Sequence, residues 1–109
     1  MNCKKIEKEC PKALELACAY FRYNILTLDN EFSFIIRDLY DFFDEQEVYI
    51  SVYLESLELK WVWRIHKGLK KELHRVSCNP SVFDTRSEAE EAAFLKAFEI
   101  LEQNIINQI

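Results

Sequence analysis

Glycine and proline are scarce in this chain. Among 109 residues there is one glycine, Gly68, and there are two prolines, Pro11 and Pro80. Loops that cradle phosphate groups need glycines, because a backbone without Cβ atoms lets its N–H groups approach the ligand closely. The sequence therefore excludes enzymes built on a Walker loop or a dinucleotide-binding fingerprint. Because 50% of the residues are apolar, a linker or a disordered chain is excluded too.

Long apolar runs are missing as well. No run approaches the roughly 18 residues of a membrane-spanning helix, and residues 1–9 carry positive charge without the apolar segment of a secretion signal. We therefore expect a cytoplasmic protein that does not enter a membrane. Residues 1–109 suit a single domain, whose core is large enough to fold without a metal or a disulfide.

The four cysteines do not have the spacing of a metal site. Cys3, Cys10 and Cys18 recur at helical spacing, and no pair shows the short Cys-x-x-Cys separation of structural zinc sites. We expect these three thiols to be buried, because free cysteine is often found in protein cores. Cys78 lies in a turn-like stretch, 77–80, and is predicted to be exposed and open to oxidation. The sequence predicts no metal and no cofactor.

Apolar residues at helical spacing predict helices in the first half of the chain. One helix is expected over 11–23, with Pro11 near its N-terminus. Ile6 and Cys10 continue its apolar stripe backwards, which leaves open either a short separate turn or one kinked helix. A second helix is predicted over 32–44, although the first five residues of that segment alone would also suit a strand.

The second half of the chain changes to a period of two. Apolar residues alternate with other side chains over 48–55 and again over 57–66, which predicts an antiparallel hairpin. A third strand is expected within 69–77. Trp61 and Trp63 share a face with Ile65, so we expect them to fill the core rather than to stack on nucleic-acid bases.

A long C-terminal helix completes the predicted fold. Thr85 and Glu88 form a capping box, and an alanine-rich amphipathic segment follows as far as about Asn107. The order of elements predicts an α+β fold: N-terminal helices, a two- to three-stranded antiparallel sheet and a long C-terminal helix packed on that sheet.

Charge is segregated along the chain, which is acidic overall with a net charge of −5. Residues 29–58 hold nine acidic side chains and one basic one, a balance of −8, whereas residues 60–75 hold six basic side chains and one acidic one, a balance of +5. An acidic protein attracts basic partners and is steered away from phosphate backbones. The basic side chains of the second block are Lys60, Arg64, Lys67, Lys70, Lys71 and Arg75.

Two groups of side chains, the histidines and the acidic residues, are candidates for catalysis or metal binding. His66 and His74 lie among basic residues, and no sequence motif joins them to a nucleophile. Acidic residues recur at helical spacing from Asp38 onwards, which would suit a divalent cation or an acid–base pair. A solvated acidic face is favoured over both, because the ordered pattern of a calcium loop is missing.

The second half of the chain superficially resembles double-stranded RNA-binding domains in the order of its strands and last helix. Those domains place lysines at the start of that helix to contact phosphates. Here the helix starts with Glu88, Glu90 and Glu91. Duplex RNA binding is therefore disfavoured.

A second resemblance covers more of the chain. The aromatic hairpin, followed by the segment from Thr85 to Phe94, looks like small accessory proteins of prophages and mobile elements in gut bacteria. Small acidic phage proteins of this size include anti-CRISPR inhibitors, many of which cover the nucleic-acid-binding or PAM-reading surface of a Cas effector. This resemblance implies a phage-type inhibitor, but it carries over no functional residue.

The leading hypothesis from the sequence is a non-enzymatic interaction protein. Its acidic face would bind a basic protein that handles nucleic acid, in the sharpest version a Cas9-type CRISPR effector nuclease. A nucleic-acid-binding module that uses the basic segment 60–75 is the alternative, a small enzyme is the third hypothesis, and self-association stays open. The predicted partner-binding residues are Asp38, Asp41, Asp44, Glu45 and Glu47.

Overall fold

Helices enclose one side of a small antiparallel sheet. The computed structural model describes residues 3–24, 32–55, 59–69, 72–78 and 81–107. The elements are α1 (Cys3–Glu9), α2 (Pro11–Phe21), α3 (Ile36–Glu45), β1 (Val48–Glu55), β2 (Lys60–Leu69), β3 (Glu72–Ser77) and α4 (Arg86–Asn107). The sheet has the order β1-β2-β3, and α4 packs on β1 and β2. The predicted α+β fold, including the third strand, is confirmed.

A single residue separates the first two helices. Cys10 has φ −134° and ψ 57°, outside the helical region, and Pro11 opens α2. Of the two arrangements that the sequence left open, the separate short helix is the one found. The second helix ends at Phe21. Its C-cap, Arg22, has a left-handed φ of 62°, which lets the Tyr23 N–H donate to the Cys18 carbonyl at 2.8 Å.

The third helix begins later than the sequence pattern predicted. It starts at Ile36, and Ile35 has extended backbone angles and is 65% exposed. Phe34, by contrast, is buried, with its ring 5.8 Å from that of Phe21 and 6.3 Å from that of Phe98. Alternation of a buried and an exposed residue is typical of extended backbone, so the helix prediction is wrong for 32–35 and confirmed for 36–44.

A cluster of phenylalanine rings joins α3 to α4. Phe98 is fully buried, and its ring centroid lies 4.9 Å from that of Phe43 and 6.4 Å from that of Phe42. Small residues on α4 let the helix approach its neighbours closely, and Ala93 and Ala97 are fully buried. Phe98 therefore packs on α3 and the segment before it, rather than on the sheet alone.

The two faces of the sheet differ. Val48 and Ile65 lie on the helix-facing side and are almost fully buried. The other side, called the open face here, carries pairs such as Tyr49 with His66 and Ser51 with Arg64. Among the described residues, the side chains on the open face are those of Tyr49, Ser51, Tyr53, Glu55, Lys60, Val62, Arg64, His66, Arg75 and Ser77.

All four cysteines are free and buried. This confirms the prediction for Cys3, Cys10 and Cys18, but the predicted exposure of Cys78 is wrong because its side chain is 9% exposed. The reason is that Cys78 stays attached to β2: its N–H donates to the Trp63 carbonyl, and the Trp63 N–H donates to its Sγ, both at 3.3 Å.

None of the helices in the described residues is both long enough and apolar enough to cross a membrane.

Candidate functional site: an acidic depression

Four of the predicted partner-binding residues line one open depression at the C-terminal end of α3. Asp41, Asp44 and Glu45 come from the helix, and Glu47 comes from the turn that leads into β1. Tyrosines from two other elements complete the wall. The acidic depression consists of Tyr20, Asp41, Asp44, Glu45, Glu47 and Tyr49.

The amphipathic character of α3 places these carboxylates outside. Leu39, Phe42 and Phe43 are fully buried, and the positions Asp41, Asp44 and Glu45 fall on the opposite side of a 3.6-residue helix. Asp38 belongs to the first turn of α3. It does not line the depression, so the structure brings together four of the five predicted residues.

Glu47 occupies a backbone conformation that usually belongs to glycine. Its φ is 59°, in the left-handed region, which costs an L-residue roughly 1–2 kcal/mol. Its N–H donates to the Asp44 carbonyl at 3.1 Å, and its own carbonyl accepts from the Gly68 N–H at 2.9 Å. These bonds hold the turn, and they leave the Glu47 side chain exposed on the rim of the depression.

The electrostatics of the depression are unfavourable in the isolated chain. The C-terminal end of a helix carries the negative end of the helix dipole, and carboxylates there repel it. Asp41 also lies three and four residues before Asp44 and Glu45, the spacings at which like charges repel each other. No basic residue lies in the last turn of α3, and within the described part of the chain none of these carboxylates forms an ion pair.

Two exposed tyrosine rings flank the carboxylates. Tyr20 and Tyr49 are each 43% exposed, and the Tyr20 ring is held by that of Phe42 at a centroid distance of 5.3 Å. Aromatic faces beside carboxylates suit a guanidinium or ammonium group, which gains cation–π contact and ion pairing together. The arrangement can therefore bind cationic side chains.

The sequence did not single out these tyrosines. Tyr20 lies off the buried stripe of α2, and Tyr49 alternates with buried Val48. The hydrophobic pattern of the sequence therefore predicts that both tyrosine side chains are exposed. Their convergence on the carboxylates depends on how α2, α3 and β1 pack, which no local spacing encodes.

The geometry of the described residues supports neither a metal site nor a reactive thiol at Cys10 or Cys18. Within the residues that the structure describes, no group of three His, Cys, Asp or Glu side chains is placed to hold a metal ion. Burial, together with the nearby negative charges of Glu102, Glu99 and Glu9, raises the pKa of Cys10 to about 11. Burial likewise raises the pKa of Cys18 to about 11. Both thiols are protonated at neutral pH, the form that is not nucleophilic.

The basic side chains of the segment 60–75 that the structure describes lie on both sides of the sheet. Lys60, Arg64 and Arg75 lie on the open face, whereas Lys67 pairs with Val48 on the helix-facing side. Lys60 pairs with Asp84. The remaining basic residues, Lys70 and Lys71, and the side chain of His74 lie outside the described part of the structure.

No protein-family profile, no curated protein sequence and no solved structure matches this chain.

Proposed function

We propose that this chain is a non-enzymatic, cytoplasmic interaction protein whose acidic depression, with Asp38 beside it, binds a basic protein that handles nucleic acid. One observation carries the proposal: four carboxylates without ion-pair partners in the described residues are gathered at the negative end of α3, between two exposed tyrosines. This arrangement destabilises the isolated chain, and a cationic partner would relieve it.

Arginine and lysine side chains fit the depression physically. A guanidinium group can form two parallel hydrogen bonds with a carboxylate while its flat face stacks on Tyr20 or Tyr49. The net charge of −5 adds a long-range field that attracts a basic surface and repels phosphate. The preferred partner is therefore a protein whose cationic groups are exposed before its nucleic acid is bound.

A Cas9-type effector nuclease is the sharpest version of this partner. Such enzymes hold their guide duplex in a positively charged channel and read the PAM through arginines. Carboxylates of the acidic depression would compete with nucleic acid for those arginines, which makes the chain an inhibitor of anti-CRISPR type. The resemblance to prophage accessory proteins supports the same partner.

A pull-down with matched charge variants tests the interaction. The tagged chain is incubated with bacterial lysate treated with nuclease, and the captured proteins are identified by mass spectrometry. Asp44→Asn/Glu45→Gln should lose the basic partner that the parent captures. The control Glu7→Gln/Glu15→Gln makes the same change in net charge on α1 and α2, and it should retain that partner. Equal capture by both double variants would contradict a role for the acidic depression.

Glu47→Gly separates binding from folding. The substitution removes a carboxylate and supplies the residue that favours a left-handed φ, so the stability of the fold should not fall. Binding to the captured partner should weaken. Unchanged affinity, measured by biolayer interferometry, would remove Glu47 from the site.

A cleavage assay tests the effector hypothesis by itself. The chain is added to a purified Cas9-type nuclease before or after target DNA, and cleavage is followed on gels. Inhibition is expected when the chain is added first, because the carboxylates then compete for unoccupied arginines. If the lysate experiment yields a partner while cleavage is unaffected, the general proposal stands and the nuclease is the wrong partner.

A further inference from the structure

The outer edge of β1 is unpaired in the part of the chain that the structure describes. The strand order is β1-β2-β3, and β1 pairs with β2 alone, in a continuous register from Val48 to Glu55. Edge strands are usually protected by charged side chains, by proline or by a bulge. Residues 48–54 contain none of these, whereas β3, the other outer strand, carries Glu72 and Arg75. The β1 edge is therefore the one suited to pairing with a further strand.

Alternate residues of β1 direct their backbone groups away from β2. The Gly68 N–H donates to the Glu47 carbonyl at 2.9 Å, so the backbone of Glu47 faces β2. On its other side, β2 exchanges two hydrogen bonds with Phe83 through Trp61, and alternation along β2 from Trp61 likewise directs Gly68 towards β1. Among the described residues, no backbone group bonds to the outward N–H and C=O groups. On the accessible part of the edge, these groups belong to Ile50, Val52 and Leu54.

The helices leave the side chains of this edge incompletely covered. On the helix-facing side of β1, Val48 is 1% exposed, but Leu54 is 45% exposed. Ile50 and Val52, between them, are only partly buried, whereas their partners on β2 are both buried. Apolar side chains of an added strand would therefore bury apolar surface along this edge.

The acidic depression adjoins the beginning of the same edge. Glu47 directly precedes β1 and Tyr49 belongs to it, and both line the depression. Successive side chains of an added strand would point to opposite faces, one beside Tyr49 on the open face and the next beside Ile50 on the helix-facing side. Cationic residues suit the first position, because it lies next to the carboxylates, and apolar residues suit the second.

We propose that β1 accepts, as an antiparallel fourth strand, an extended segment of the partner in which cationic and apolar residues alternate. The inference rests on the proposed function and specifies how the partner is held. Its arginine or lysine side chains enter the acidic depression, and its apolar side chains cover Ile50, Val52 and Leu54. Main-chain hydrogen bonds to the edge supply affinity, while the side chains on the two faces select the segment. Both existing pairings of the sheet are antiparallel, which is the more stable direction.

Amide hydrogen exchange measured by NMR tests the pairing. The ¹⁵N-labelled chain is titrated with a short capped peptide in which arginine and valine alternate, and exchange rates are compared with and without the peptide. The amides of Ile50, Val52 and Leu54 should become protected, because they gain acceptors. Those of Ser51 and Tyr53 face β2 and should change less. Equal protection of both sets, or of neither, would overturn the proposal.

Two methylated versions of the peptide give a matched control. In the antiparallel pairing, the valine backbone N–H groups face β1 and those of the arginines face solvent. Methylating the valine backbone nitrogens should therefore abolish binding, and methylating those of the arginines should not, although the two peptides have the same charge and composition. Equal affinities would overturn strand addition, and loss with the methylated arginines alone would overturn the antiparallel direction.

Charge variants separate this inference from the proposed function. Asp44→Asn/Glu45→Gln should weaken peptide binding about tenfold or more, whereas Glu7→Gln/Glu15→Gln should leave it unchanged. If the first variant binds weakly but the two methylated peptides bind the parent equally, the depression binds cations without strand pairing, and only the inference fails. If the edge amides are protected but both variants bind like the parent, the depression is not the cationic site, and the proposed function fails with the inference. Thermal melts followed by circular dichroism confirm that each variant is folded.

Discussion

At the scale of single residues, Glu102 connects two distant parts of the chain. It belongs to α4 and is 6% exposed, and its Oε1 accepts a hydrogen bond from the Ala13 N–H at 2.8 Å. The residue before α2, Cys10, forms no side-chain cap. A carboxylate at a helix N-terminus satisfies a free N–H and complements the helix dipole. Glu102 therefore caps α2 from another element.

The loss of stability on replacing Glu102 should depend on whether the new side chain can still accept the hydrogen bond from the Ala13 N–H. Glu102→Ala leaves the Ala13 N–H buried without an acceptor and should lower the free energy of unfolding by about 2–3 kcal/mol. Glu102→Gln keeps an acceptor and should cost less. Urea melts measure both, with the exposed Glu99→Ala as the control. Equal losses for the Ala and Gln variants would show that the hydrogen bond is not the cause.

The raised thiol pKa values predict low reactivity. With the pKa of Cys10 and Cys18 near 11 instead of 9.0, the thiolate fraction at mildly alkaline pH is about 100-fold lower than for an ordinary cysteine. Ellman's reagent should label both slowly in the folded chain and rapidly in urea. Since the folded-state pKa is the higher one, the associated stability is present below pH 9 and is lost as the pH rises towards 11. Fast labelling of the folded chain would contradict the burial.

At the scale of elements, the start of α4 was predicted correctly except for one bond. The Glu88 N–H donates to Thr85 Oγ1 at 3.2 Å, as the capping box requires. The Glu88 carboxylate, however, accepts from the Thr85 hydroxyl at 2.9 Å instead of from its backbone N–H. The cap thus depends on a hydroxyl that both donates and accepts.

Removing that hydroxyl should weaken the helix modestly. Thr85→Ala is expected to cost about 1 kcal/mol, while Thr85→Ser, which keeps the hydroxyl, should cost little. Partner binding should survive in both, because Thr85 lies away from the acidic depression. Urea melts give the stabilities, and no difference between the two variants would mean that the cap contributes nothing.

The packing of α4 on α3 predicts a larger effect at Phe98. Phe98→Ala removes the ring that contacts Phe34, Phe42 and Phe43, and it should cost about 3–5 kcal/mol, enough to unfold a domain of this size. Phe98→Leu keeps much of the volume and should cost less. If Phe98→Ala melts at the parent's urea concentration, the ring cluster is not the core of the fold.

At the scale of the whole molecule, the charge distribution sets a trade-off between stability and binding. The repulsion at the end of α3 is present in the free chain, so Asp44→Asn/Glu45→Gln should raise stability by about 0.5 kcal/mol per substitution at low salt. The gain should shrink at high salt, since screening weakens interactions between exposed charges. Thermal melts at two ionic strengths measure it. A destabilised double variant would mean that the carboxylates have favourable partners.

Sequence patterns predicted those features of the molecule that local physics determines. The start of α4 followed from Thr85 and Glu88, its end near Asn107 followed from the amphipathic segment, and the hairpin followed from alternation over 48–66. The start of α3 was missed because Phe34 is drawn into a ring cluster that only the tertiary fold creates. The burial of Cys78 was missed for a similar reason, because its contact with Trp63 joins two strands.

The acidic depression was likewise predictable from the sequence only in part. Helical spacing placed the carboxylates of α3 on one face, but the tyrosines that flank them come from α2 and β1.

The contact between α2 and α4 also affects the order of events during translation. The cap of α2 and the ring of Phe98 both come from α4, so the N-terminal helices have neither while that segment is still inside the ribosome. Until then, a nascent chain exposes the apolar stripe of α2 and the strands of the sheet, surfaces that chaperones bind and that aggregate when crowded. Native packing is therefore completed only after residues 94–102 have emerged, and truncation before Glu102 should yield a chain that chaperones retain.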